Sequence, residues 1–147
     1  PYAAREKGRN IITMRYFSKK LFEFIEENIG WYESRNVNGH IKKSRTVFLK
    51  GWKRSNAFKI GFLRGCIDSD GHISTRDCMF ATASKDLMDN IERYLLDLGF
   101  KNIHRHFYDD KRGNRVGMYH LRVNKPDREK FMEIVKPRNL AKLKEKK

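Results

Sequence analysis

Three small residues, Gly61, Gly65 and Ser69, recur every four positions within the stretch Phe58-Lys59-Ile60-Gly61-Phe62-Leu63-Arg64-Gly65-Cys66-Ile67-Asp68-Ser69-Asp70-Gly71-His72-Ile73. Helix positions four apart share a face, so these residues form a flat stripe along an otherwise apolar helix. A stripe of this kind lets a second backbone come close, the use small residues serve in tight helix pairs. Gly71 is expected to take the left-handed conformation and end the helix. A strand-like segment follows at once. Asp68 and Asp70 then stand at a helix C-terminus, whose free carbonyls carry partial negative charge. If two such helices pair, acids from both meet, and clustered oxygen donors attract a hard divalent cation.

Two plainer readings compete. Asp-x-Asp-Gly also opens calcium loops, but an EF-hand needs a closing Glu, and Met79 and Phe80 stand where it would be. An ordinary buried helix capped by glycine, with surface acids, is the other. Charge bears on the choice: 147 residues carry a net charge of +15, which points to a polyanionic partner. A membrane surface is the alternative polyanion. Neither a basic amphipathic helix nor a long apolar run is present, so no membrane association is expected. Cys66 and Cys78 are too few to staple a chain of this length. They suit a reducing, intracellular setting, cytoplasmic or organellar. Zinc is not expected, because Cys66, His72, Cys78, His104 and His106 lack the spacing of a structural site.

The order of elements follows from pattern. After the motif, Gly71–Thr75 and Cys78–Ala83 read as strands joined by a turn at Arg76-Asp77. Ser84 caps a helix over Lys85–Leu98, amphipathic through Leu87, Met88, Ile91, Tyr94, Leu95 and Leu98, and Gly99 stops it. Strands over Lys101–Asp109 and Arg115–Val123 flank a turn-rich tip. Asn124 is expected to cap a last helix through Val135, with Pro126 in its first turn and Pro137 beyond its end.

Alternation in the second hairpin separates two faces. Ile103, Phe107, Tyr119, Leu121 and Val123 share an apolar face, and Asn102, His104, His106, Tyr108, Met118, His120 and Arg122 share the other. Any solvated antiparallel sheet is one-sided. This one offers His, Tyr, Asn and Arg, which can read base edges or hold phosphates, and its tip adds Lys111, Arg112 and Arg115. By the same logic His72, Ser74 and Arg76 are groove contacts of the first hairpin. Arg105 breaks the alternation, and nothing in the sequence accounts for it.

Leu63-Arg64-Gly65-Cys66-Ile67-Asp68-Ser69-Asp70-Gly71 resembles the signature of the LAGLIDADG homing endonucleases. It keeps the first Leu, both Gly, the Ile and both Asp. It departs at Arg64 and Ser69, where the family has Ala, and at Cys66, where it has Leu. The αββαββα order over roughly residues 57–147 also matches that family. The resemblance implies an α+β fold in which a four-stranded antiparallel saddle grips the major groove of double-stranded DNA and the motif helices pair centrally. It implies a site-specific endonuclease of intron homing, hydrolysing phosphodiesters with Mg²⁺ or another divalent cation. Asp70 is then the metal acid, assisted by the backbone carbonyl of Ser69, while Asp68 supports structure. Lys142 matches a lysine of the basic pocket near the scissile phosphate. Ala83 departs from a polar residue that orients water, a role Ser84 could partly take.

One motif supplies one metal acid. The resemblance therefore implies a homodimer paired through Gly61, Gly65 and Ser69, or docking to a missing N-terminal half. Residues 1–30 support the second option: a strand over Ile11–Phe17 and a helix over Ser18–Ile29, stopped by Gly30, repeat the end of the later domain. They are the tail of a first half or an unrelated extension, residues 31–57 are a basic linker, and residues 58–147 are the domain. The competing function is a non-cleaving DNA- or RNA-binding module of the same fold, an intron maturase or a transcription regulator.

Overall fold

The computed structural model describes residues 2–5, 12–15, 18–33, 39, 43–51, 53–109 and 117–139. Lys111, Arg112 and Arg115 at the second hairpin tip, and Lys142 in the tail, lie outside the described residues. In chain order the elements are β1 (Tyr2–Arg5), β2 (Ile12–Arg15), α1 (Lys19–Asn28), β3 (Ile29–Trp31), α2 (Lys43–Thr46), β4 (Val47–Leu49), α3 (Asn56–Ser69), β5 (His72–Ile73), β6 (Asp77–Thr82), α4 (Lys85–Asp97), β7 (Ile103–Tyr108), β8 (Met118–Asn124) and α5 (Asp127–Val135). From α3 onward this is the expected αββαββα order. Strands β5 to β8 form one antiparallel sheet in the order β5-β6-β8-β7.

Helices α3, α4 and α5 cover one face of that sheet. Inward strand residues Ile73, Cys78, Phe80, Leu121 and Val123 meet Leu63 and Ile67 of α3, Met88, Ile91, Tyr94 and Leu95 of α4, and Phe131 and Val135 of α5. Phe131 is the centre of an aromatic group, edge-on to Phe80 with ring centroids at 5.8 Å and tilted against Phe100 at 5.8 Å. Rings in that arrangement add attraction beyond burial of area. The caps hold α4 in place: Ser84 Oγ accepts from Leu87 N at 3.2 Å, and Gly99 takes φ +80, a backbone state costly for any side chain.

Three glycine and cap expectations are corrected. Gly71 is not left-handed; Asp70 caps α3 in a right-handed conformation, and Gly71 N donates to Cys66 O at 3.2 Å. A Cβ at Gly71 would stand 2.5 Å from Ile67 Cδ1 and 2.7 Å from Ile67 Cα, so glycine serves close approach rather than positive φ. Asn124 does not cap α5. It is the last residue of β8, its N–H donating to Asn102 O at 2.9 Å, and Pro126 occupies the cap position without a side-chain hydrogen bond. Asp127 in the first turn of α5 instead accepts from Lys101 N at 2.6 Å and Asn102 N at 2.7 Å. Gly30 does not stop α1. Ile29 already leaves the helix in an extended conformation, and Gly30 sits in β3, where a Cβ would meet the Phe48 ring at 2.5 Å.

Ahead of α3, β1 pairs with β2, and Ser18 caps α1 by accepting from Leu21 N. The stretch read as a basic linker carries structure of its own. Its α2 and β4 lead to a β3–β4 ladder, and β4 docks on α4. Leu49 N donates to Asn90 Oδ1 at 2.9 Å, Ser84 Oγ donates to Val47 O at 2.6 Å, and Leu49 is buried with the core. The run Val47-Phe48-Leu49 is the apolar signal for this strand, masked in the sequence by the basic residues around it.

Candidate functional site

The register of the sheet assembles its outward face row by row. His72, Met79, Arg122 and His104 stand side by side across all four strands. The next row is Ala81, His120 and His106, and then come Met118 and Tyr108. The Tyr108 and His120 rings lie parallel with centroids 6.5 Å apart, and His106 tilts toward His120 at 6.2 Å. Four of the five histidines of the chain thus share one surface. Met79 and Ala81 on β6 belong to it as well and were missed. The alternation of Asp77, Met79 and Ala81 with Cys78 and Phe80 is the signal that finds them. Arg122 leans toward Asp77 at 3.5 Å across the edge row, with half its side chain exposed.

Burial holds the His120 imidazole below the ordinary histidine range, and the positive neighbours His106 and Arg122 push the same way. An anion laid on this face would oppose that shift. Ser74 and Arg76 lie in the β5–β6 turn. Ser74 Oγ accepts from Arg76 N at 3.1 Å and Asp77 N at 3.0 Å and donates to Asp77 Oδ1 at 2.6 Å. Arg128 Nε of α5 donates to Ser74 O, which ties the turn to the core. The Ser74 hydroxyl is therefore engaged in shaping the turn, and the side chain it presents is the exposed Arg76.

Arg105 has its explanation on the opposite face. It pairs with Leu121, beneath α4, where its guanidinium meets Asp89 at 2.5 Å and Glu92 at 2.8 Å and lies over the Tyr119 ring at 5.2 Å. Burial works against its charge, but the two carboxylates outweigh it and raise the guanidinium's hold on its proton. Phe107, on the same inward parity, is half exposed and lies tilted against the Tyr119 ring with centroids 4.7 Å apart.

At the other centre of interest, α3, the residues most exposed along the helix are Asn56, Ala57, Gly61, Gly65 and Ser69. Four of these five are small and spaced by four. A Cβ built on Gly61 or Gly65 meets nothing within 4 Å, so the stripe is an open, flat surface among the described residues. Asp68 and Asp70 differ sharply in use. Asp68 accepts from Arg138 N at 2.9 Å and Asn139 N at 3.0 Å, and Asn139 Nδ2 donates to Asp68 O at 2.9 Å. These bonds fasten the chain leaving α5 to the last turn of α3. Arg64 adds a second fastening by donating to Val135 O at 2.6 Å, which answers a free carbonyl at the end of α5.

Asp70 is exposed and has no side-chain hydrogen bond or ion pair with any described residue. Beside it, burial first and the Asp70 charge second push the Cys66 thiol up to about 12, which leaves Cys66 a packing group. The oxygen donors left for a metal are the Asp70 carboxylate and the last carbonyls of α3, a hard donor set that fits Mg²⁺ in kind. They do not close a site in one chain: no group of three His, Cys, Asp or Glu able to hold a metal occurs among the described residues. Ser84 cannot stand in for the polar residue absent at Ala83. It is fully buried and spends its hydroxyl on the α4 cap and Val47 O.

Among the described residues no helix is long and apolar enough to cross a membrane. No curated protein and no solved structure gives a significant match to this chain. A LAGLIDADG-like domain matches residues 57–136, which runs from the start of α3 to the end of α5 and covers more than half of the sequence. That family comprises homing endonucleases and related maturase-type DNA-binding proteins. With the motif, the αββαββα order and the family match coinciding on the same residues, the chain belongs to the LAGLIDADG-like domain family.

Proposed function

We propose that this chain is one half of a site-specific DNA endonuclease that cleaves double-stranded DNA with Mg²⁺ or another divalent cation. The observation that carries the reading is the pairing of an open small-residue stripe with an unengaged acid at its end: Gly61, Gly65 and Ser69 lie exposed along α3, and Asp70 follows them. A second motif helix laid on the stripe, from another copy or from an N-terminal half, brings a second acid beside Asp70. Asp70 and the Ser69 carbonyl would hold a divalent cation there, which would supply an activated water and stabilisation of the leaving oxygen. The residues of this chain do the rest. Asp70 and the Ser69 carbonyl provide oxygen ligands, and Lys142 offers positive charge toward the scissile phosphate. The rows His72–Arg122–His104 and His120–His106, with Tyr108, enter the major groove. Arg76 and the tip residues Lys111, Arg112 and Arg115 hold phosphates.

A second reading has its own support. Ala83 lacks the polar group expected near the water, and the buried Ser84 does not replace it. A non-cleaving DNA- or RNA-binding module, a maturase or a regulator, needs the sheet face but not the acids.

Cleavage separates the two. Duplexes selected from a randomised pool by binding to the full chain are incubated with Mg²⁺ and with EDTA. Mg²⁺-dependent double-strand cutting by the wild type, lost by at least about a hundredfold in Asp70→Asn with binding retained, is the expected result. Tight binding with no cutting under any divalent cation leaves the module reading.

A further inference from the structure

Among the outward residues of β5 to β8, Asp77 is the one acid. A carboxylate on this face repels any polyanion laid across it and so weakens the binding that the charge of +15 favours. Its presence calls for a local reason.

The surroundings of Asp77 supply one. Its Oδ1 accepts from Ser74 Oγ at 2.6 Å, and its N–H donates to the same hydroxyl at 3.0 Å. Arg128 Nε donates to Ser74 O at 2.7 Å, so the carboxylate stands on a turn fastened to α5. The second oxygen, Oδ2, faces Arg122 Nη1 at 3.5 Å, with side chains 17% and 52% exposed respectively. A base reader must present its polar atoms to the groove. Asp77 is largely covered, with one oxygen bound and the other turned to Arg122, so it supports while Arg122 reaches.

Shaping the turn accounts for Oδ1 alone. As a source of stability the ion pair counts for little, because it is half exposed. Its effect on geometry is larger. An unrestrained arginine gives up rotamer freedom when it settles on a base, and one already held by a carboxylate gives up less. At 3.5 Å the contact is looser than a hydrogen bond. No other hydrogen bond or ion pair holds the guanidinium among the described residues, so the rest of its fork is open. That fork matches O6 and N7 of guanine. Arg122 also lies on the inner strand β8, flanked by Met79 and His104, where a groove bound to the sheet would pass.

We propose that Asp77 is a positioning residue that holds Arg122 to read one guanine in the major groove, in place of a loose phosphate contact. The inference rests on the nucleic-acid reading of the sheet face given above.

The full chain selects duplexes from a randomised pool, and affinities are then measured for the selected duplex and for versions with one base pair exchanged. Arg122→Ala should abolish a guanine preference at one base pair. Exchanging that pair for A·T should weaken the wild type about tenfold or more, and Asp77→Asn about twofold or less. Affinity of Asp77→Asn for unselected duplex should hold or rise, since one negative charge is gone. Asparagine still offers an acceptor to the Ser74 hydroxyl, so the urea midpoint should not move. In an Arg122→Ala background, Asp77→Asn should leave the remaining base preferences as they are, whereas an acid acting only through the turn would disturb them in both backgrounds. Unchanged discrimination in Asp77→Asn overturns this inference alone. So does an Arg122→Ala variant that loses no base preference while its salt slope falls by about 1, the mark of a phosphate contact. A wild type that binds no duplex overturns the reading of the sheet face, and this inference with it.

Discussion

Arg105 and Arg122 lie on neighbouring strands of one sheet, and they do opposite work. Arg105 faces the helices, three-quarters covered, with two carboxylates of α4 on its guanidinium. Arg122 faces out, half exposed, with one long contact to Asp77. In the sequence both are basic residues within strands. The difference is one of parity: odd positions of β7 and β8 turn inward and even positions turn outward. A cation on the inner face must bring its own counter-charges or cost stability, whereas one on the outer face keeps its water and remains available to a ligand.

The largest effect expected inside is on packing. Phe131→Ala empties a fully buried position against Phe80 and Phe100 and should cost about 3–5 kcal/mol by urea unfolding. A loss below about 1 kcal/mol would mean that the helix face of the sheet is not the core. Next comes the arginine pair itself. Arg105→Ala leaves Glu92 without this cation and Asp89 with only the exposed Lys85 at 2.8 Å, and should cost about 1–2 kcal/mol of stability while sparing DNA affinity. Arg122→Ala should do the reverse, with stability within about 0.5 kcal/mol and DNA affinity reduced. If it contacts a phosphate, the log–log salt slope falls by about 1. Equal effects of the two variants on stability and on binding would break the comparison.

The smallest effect is a pH dependence confined to the outer face. The folded chain holds His120 below its ordinary value, so on acidification the unfolded chain takes up the proton first. Stability is complete above the ordinary histidine range and declines as pH falls through the depressed folded value. His120→Gln should flatten that decline in urea midpoints measured across the range. DNA bound on this face should reverse the preference, so affinity should strengthen as pH falls; an affinity indifferent to pH would place the phosphates away from His120.

The strands β5 to β8, α3 and α4 were legible because period-two and period-3.6 patterns, Ser84 and Gly99 all agreed locally. The second hairpin's outward residues were legible for the same reason, since alternation needs no partner to be read. The strand β4 was not, because three apolar residues among many basic ones make a strand only when Asn90 and the Val47–Ser84 bond are there to receive it. Asn124 resembled a cap by type alone. Its place was taken by the ladder bond to Asn102, and the nearby acid, Asp127, went to the β7 entrance instead.

The sequence by itself determined the family motif, the αββαββα order, the chain's net positive charge and which strand residues share a face. All of these depend on spacing and residue type along the chain. Only the tertiary structure decided which of two neighbouring acids is engaged. Asp68 is spent on the backbone of Arg138 and Asn139, seventy residues away, and Asp70 is not. It also decided that Arg105 pairs with two carboxylates of α4 and that Lys53, Arg54, Lys59 and Arg93 line one cavity. Each of these depends on contact between segments distant in the chain. Periodicity carries no information about such contacts, because it records only which way a side chain points and not what it meets.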